Sequence, residues 1–260
     1  MKGLFLAHVL DRISPAYAAQ YPGWEFGAAM TGIVRAAQRW KARARVHGWD
    51  TRMLINSQAT GDAQLASVRE ALHSYDLIML FRGTHGGQRA GGDEPDRKQE
   101  FNMAWDRPLY DTEWRLVWRE MRARQCLLAI SDLCHSQGGL RQPAMQRGKQ
   151  FFMRTVREAN CAGVVVNAAG CEEAGSSRGS DSGGLWNDAL EDGEGTPATW
   201  CGRLLRGFRY HNPERDTWLN QARERVIGQT AGWNPPQRPV IESWGPPAAV
   251  AEFLRGKVWR

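Results

Sequence analysis

No stretch of this 260-residue sequence approaches the roughly 18 consecutive apolar residues that a membrane-spanning helix needs, so no membrane partner is expected. Cysteine is sparse and unpatterned. The five residues, Cys126, Cys134, Cys161, Cys171 and Cys201, are odd in number and irregular in spacing. No pair forms a Cys-x-x-Cys, which argues against a zinc site and against a disulfide framework. No metal is expected, and a reducing, cytoplasmic setting is. Glycines cluster at Gly83, Gly86-Gly87 and Gly91-Gly92, but no Gly-Lys-Ser/Thr follows them, which excludes a P-loop. The start, Met1 to Leu10, carries an apolar stretch too short for a secretion signal, and Asp11-Arg12 breaks it, so it reads as a first core strand. There is no internal repeat, no low-complexity tail and no linker. The chain is expected to be a single domain over 1–260, with its core over about 3–200 and with 201–260 completing the same unit.

What is present begins with tryptophan. Twelve tryptophans are many for this length, and large aromatics are first of all core material. The formal charge is +6, from 34 Lys and Arg against 28 Asp and Glu. The basic residues are spread along the chain, as in Arg35, Arg39, Lys41, Arg43 and Arg45, which is the pattern of a solvated helix face. Nucleic acid is therefore not an expected partner.

Apolar runs alternate with helix-like segments. Strands are expected at Leu4–Val9, Thr51–Ile55, Leu77–Phe81, Cys126–Leu133 and Gly163–Ala168, with a further strand at Val240-Ile241, on an edge of the sheet. Helices are expected over Ala28–Val46, from the Thr60 cap to His73, over Asp111–Arg122, Lys149–Ala159, Leu185–Leu190, Glu214–Gly228 and Ala248–Leu254. The stretches Thr84 to Arg107 and Glu172 to Gly184 read as loops. This alternation implies an α/β fold, a mostly parallel central sheet with helices on both faces.

In such sheets ligands bind beyond the carboxyl ends of the strands. His85 follows the run Leu77–Phe81, and Cys134 closes the run that starts at Cys126, 49 positions later. Asn167 falls near the end of the fifth strand. A histidine and a cysteine at neighbouring strand ends supply the base and the thiol that a cysteine hydrolase needs. His8, His47, His73 and His211 carry no motif and read as structural.

These residues resemble the caspase-like cysteine peptidases, and within them the metacaspase and bacterial orthocaspase branch, where a histidine also stands about 50 residues before the nucleophile. Gly83-Thr84-His85-Gly86 stands where that branch has Ser-Gly-His-Gly. Asp132-Leu133-Cys134-His135-Ser136 stands where it has Asp-x-Cys-His-Ser, with Gln137 inserted before Gly138. The Tyr21-Pro22-Gly23 turn, the Leu109–Glu113 segment and the Ser182-Gly183-Gly184 loop are also similar, so the likeness spans about residues 3–200.

The resemblance implies a caspase-like three-layer sandwich and a cysteine endopeptidase working through an acyl-enzyme. Cys134 would be the nucleophile, His85 the base, and the backbone N–H groups of Gly86 and Cys134 the oxyanion donors. Asp132 would line the pocket for the cleaved residue and favour Arg or Lys by charge pairing. Gly83, Glu173 and Asp181 would complete the substrate site, with Glu172 beside them. The family's Cys-x-x-Asp pocket element has no match here. Self-processing is expected at Arg147 or Arg178, with Arg141 less favoured. No cofactor is required. A Ca2+ site is only loosely matched by Asp93, Glu94, Asp96 and Asp111. The expected partner is a polypeptide substrate, met by a monomer. The altered Gly83-Thr84 pair leaves a second reading open, an inactive caspase-like module that binds peptides or partner proteins.

Overall fold

Side-chain alternation along four of the five parallel strands divides the main core into two halves, one on each face of the sheet, and a smaller cluster of Leu10, Ile13, Tyr17, Leu54, Ala59 and Met103 lies beside them. The computed structural model describes residues 2–20, 28–91, 98–134, 154–156, 163–170, 179–180, 183–184, 218–232, 237, 240–246 and 248–250. The central strands are β1 (Gly3–Val9), β2 (Asp50–Ile55), β3 (Leu77–Gly83), β7 (Cys126–Asp132) and β9 (Val164–Ala169). They run parallel in the order β2-β1-β3-β7-β9. β12 (Val240–Trp244) joins antiparallel to β9, and β8 (Arg154–Val156) lies beyond it.

After a short α1 (Pro15–Ala18), one face of the sheet is covered by α2 (Ala28–Val46) and α5 (Trp218–Gln229). Phe5, Ala7, Val9, Met79, Phe81, Leu128, Ile130, Val166 and Ala168 meet Ile33, Ala36, Ala37 and Trp40 of α2, and Ala222 and Val226 of α5. The other face is covered by α3 (Gly61–Ser74) and α4 (Asp111–Trp118). There Leu4, Leu6, Ile78, Leu80, Leu127, Ala129 and Val165 meet Leu65, Val68 and Leu72 of α3, and Trp114, Val117 and Trp118 of α4. Each large side chain so buried contributes about 1.5–3 kcal/mol. The result is a three-layer α/β sandwich.

Local signals explain the helices. Thr60 caps α3 by accepting the Ala63 N–H at 3.2 Å, and Asp62 adds a negative charge in the first turn. At the start of α4, Glu113 reaches back to accept the Tyr110 N–H at 3.0 Å. In α4 the spacing of Trp114, Val117 and Trp118 builds the buried stripe, while Leu116 points outward.

Several expectations change; α4, for one, ends at Trp118 rather than Arg122. The stretch after His85 is not a plain loop. It forms β4 (Gly86–Ala90) and β5 (Lys98–Met103), paired antiparallel, with β6 (Pro108–Tyr110) on β5. Arg154–Val156 is a strand inside the stretch read as a helix over 149–159. β12 is not an edge strand, because β8 pairs on its outer side. Two short strands, β10 (Gly179–Ser180) and β11 (Gly183–Gly184), pair with each other within the loop before Leu185. The stretches 185–190 and 251–254 lie outside the described residues. Among the described residues no helix is long and apolar enough to cross a membrane.

Candidate functional site

β3 and β7 are neighbours in register, Gly83 beside Asp132, so the chain leaves the sheet at the same level on both strands. From β3 it continues through Thr84 and His85 into β4. From β7 it continues through Leu133 to Cys134. The Thr84 hydroxyl donates to the Met103 carbonyl at 3.2 Å, and the Met103 N–H donates to the His85 carbonyl at 2.9 Å. These two bonds fix the turn that carries His85 against β5.

The two arms then touch. A side-chain carbon on Gly86 would collide with the carbonyl oxygen of Cys134 and come within 2.6 Å of Leu133 Cδ1. Only glycine lets the His85 turn approach the Cys134 backbone this closely. His85 and Cys134 are both half-buried. Asp132, at the end of β7, is buried.

Gly86 has a second property. It pairs with Asn102, and the bond from the Met103 N–H to the His85 carbonyl makes that pair a non-hydrogen-bonded one. In such a pair each residue turns its own N–H away from the partner strand. The Gly86 N–H therefore points away from β5.

Gly83 is closed over by α2. A Cβ there would collide with Cγ2 of Ile33 and sit 3.0 Å from Phe81. A serine, as in the resembled motif, would not fit here without moving Ile33, so Gly83 presents only backbone. Glu172, Glu173 and Asp181 lie outside the described residues. So do His135, Arg141, Arg147, Arg178, Asp93, Glu94 and Asp96. Asp111 is buried and engaged, its Oδ1 accepting the Thr112 N–H at 2.8 Å and its Oδ2 facing Arg115 at 3.6 Å, which does not suit a calcium ligand. Among the described residues no group of three or more His, Cys, Asp or Glu converges to hold a metal.

Asn167 does not reach the strand-end site. It lies inside β9, fully buried, and is spent on a chain of polar groups that the sequence did not announce. Arg82 donates through Nε (3.1 Å) and Nη2 (2.6 Å) to Ser131 Oγ. Ser131 Oγ donates to Asn167 Oδ1 at 2.7 Å, and Asn167 Nδ2 donates to Glu242 Oε2 at 3.0 Å. Arg82 Nη2 also lies 3.4 Å from Asn167 Oδ1. The four side chains span β3, β7, β9 and β12 on the α3/α4 face, one residue inside Gly83 and Asp132. Burial pulls the Arg82 guanidinium down to about 10, partly offset by the Glu242 charge, so it is still a cation at neutral pH.

His8 extends this polar layer onto β1. Ser67 donates its hydroxyl proton to the Gln64 carbonyl at 2.8 Å, so His8 Nε2, 2.8 Å from Ser67 Oγ, must be the donor. The ring is then the neutral Nε2–H tautomer. Its Nδ1 is buried with no hydrogen-bond partner. Burial, and then the charges of Arg82 and Arg52, push its pKa down to about 3. Trp114 links the parts: it stacks on His8 at 6.1 Å, lies 5.4 Å from the Arg82 guanidinium, and donates its indole N–H to Asn102 at 2.7 Å.

Compared with known proteins, the chain matches no family model and no curated protein sequence. Its structure is similar to the crystal structure of protein GSU0716 from Geobacter sulfurreducens. The TM-score is 0.67 over 96% of this chain and 97% of that one, at 20% identity. At that identity the likeness shows the fold. The α/β three-layer arrangement is shared by a solved structure.

Proposed function

We propose that this chain is a cysteine endopeptidase of the caspase-like kind, nearest to the metacaspase and orthocaspase branch, with Cys134 as nucleophile and His85 as base. The observation that carries the reading is the contact between Gly86 and the Cys134 carbonyl. It joins the two motif-bearing arms at the carboxyl edge of the sheet, where open α/β folds bind their ligands.

His85 takes the proton from Cys134, and Sγ attacks the peptide carbonyl carbon. The oxyanion so formed accepts hydrogen bonds from the outward Gly86 N–H and the Cys134 N–H. The intermediate collapses to a thioester, and the amine leaves with the proton from His85. Water, activated by the same histidine, then releases the acid and restores the thiol. Asp132 favours Arg or Lys at the cleaved position by charge pairing. The enzyme works as a cytoplasmic monomer on polypeptides and requires no cofactor.

The purified full chain is tested on fluorogenic peptides bearing Arg, Lys or Asp at the cleaved position, with and without calcium. Arg and Lys peptides should be cut, Asp peptides spared, and Cys134→Ala inactive. Binding of Arg peptides without turnover would replace the reading with an inactive peptide-binding module.

A further inference from the structure

The buried chain Arg82–Ser131–Asn167–Glu242 has features that apolar packing does not require. Burying a guanidinium and a carboxylate is costly unless their hydrogen bonds are satisfied. Here the bonds run in one direction, from the cation through a hydroxyl and an amide to the carboxylate. Chains of this kind polarise one another and fix a single geometry. Arg82 and Ser131 are cross-strand partners in the β3–β7 register. Each is the last side chain on its strand to face α3 and α4, three residues before His85 and three before Cys134.

A second path starts from the same guanidinium. Arg82 lies over Trp114, Trp114 holds Asn102, and Asn102 is the strand partner of Gly86. Asn102 is further tied to Gln64 of α3 at 3.3 Å. One buried cation thus touches both the strand that leads to Cys134 and the frame that carries the His85 turn.

We propose that Arg82 is a positioning residue, whose forked contacts to Ser131 and Trp114 set the His85 arm against the Cys134 arm. The inference rests on the dyad reading above. Arg82 touches no reacting atom. It acts by holding two strand ends at one level, and misplacement of reacting groups by about 1 Å can cost about 100-fold in rate.

The test uses the full chain with Arg82→Met, Arg82→Lys, Ser131→Ala and His85→Ala. Two readouts are taken: kcat and KM on an Arg peptide, and the rate of Cys134 alkylation by iodoacetamide across pH, located by peptide mapping. In a working dyad, His85→Ala changes the alkylation profile. Arg82→Met should move the profile toward that of His85→Ala and lower kcat ~10- to 100-fold, with KM within about twofold. Arg82→Lys should recover part of the loss, and Ser131→Ala should move the same way by less. Ser131→Ala, which removes one oxygen, carries the test if the Arg82 variants do not fold. A folded Arg82→Met with the wild-type alkylation profile, while His85→Ala moves it, overturns the positioning role alone. An unchanged profile in His85→Ala overturns the dyad, and the positioning role with it.

Discussion

Gly86 lies so close to Cys134 that any side chain on it would occupy the space of the Cys134 carbonyl oxygen. The contact joins residues 48 positions apart in sequence and needs backbone on both sides, so neither arm can yield cheaply.

Gly86→Ala is therefore expected to be severe. Relief of the clash must move β4 or the Cys134 turn, an overpacking that costs about 1–3 kcal/mol. Peptide hydrolysis should fall at least ~100-fold, because the shift separates the two arms and displaces the Gly86 N–H. Thermal unfolding and steady-state kinetics check both effects. An alanine variant with wild-type kinetics would show that the arms do not depend on this contact.

Gly83 and Ile33 form a compensated pair. Gly83→Ser should cost about 1–3 kcal/mol by driving Oγ and Cβ into Ile33. Ile33→Ala alone should cost about 2–5 kcal/mol by leaving a cavity. The double variant should be more stable than the sum predicts, by about 1 kcal/mol or more, because the hydroxymethyl fills the space that the shortened residue vacates. Strict additivity in chemical unfolding would refute the pairing.

β1, β3, β7 and β9 were legible because strands buried on both faces read as continuous apolar runs, as in Leu77–Phe81 and Cys126–Ile130; β2, at the sheet edge and half exposed, showed only in the short Met53-Leu54-Ile55 run. Cys134 and His85 stand out as candidates for the same reason: they follow those runs. The hairpin after His85 was not legible. Gly86-Gly87-Gln88-Arg89-Ala90 has no β-branched residue, and its pairing depends on β5, where Phe101 packs onto Gly87. β12 was misread because its flanking prolines suggest an edge, and its outer neighbour β8 is only three residues long. The sequence does signal Arg82, since a charge that follows five apolar residues and precedes glycine marks a buried, partnered cation. Ser131, Asn167 and Glu242 give no such sign, since each finds its partners on other strands distant in sequence.

The proposed dyad and pocket make a separable prediction. Cys134→Ala should abolish hydrolysis, and His85→Ala should be nearly as severe without the losses adding, because the two act as one unit. Asp132→Ala should weaken Arg and Lys peptides most, by about 10- to 100-fold in kcat/KM, the loss of a charge-assisted contact of about 1.5–3 kcal/mol. Since Asp132 is buried at the end of β7, its removal should also lower the unfolding midpoint. Unchanged Arg preference in Asp132→Ala would remove it from the pocket.

His8 makes stability depend on pH in a defined window. In the folded chain its pKa is lowered to about 3, from an ordinary value near 6.5. Above about pH 6.5 the ring is neutral in both states and contributes no pH dependence. Below that, the unfolded chain takes up a proton that the folded chain refuses, so stability falls as pH drops and continues to fall until about pH 3. The slope is about 1.36 kcal/mol per pH unit wherever only the unfolded state is protonated. His8→Gln removes the titration. Between pH 7 and pH 5 the wild type should therefore lose about 2 kcal/mol more than His8→Gln. Urea unfolding of both proteins at the two pH values measures the difference directly, with the carboxylates common to both. Equal losses in the two proteins would mean that the folded state admits the proton, and that His8 is not held neutral beneath Arg82.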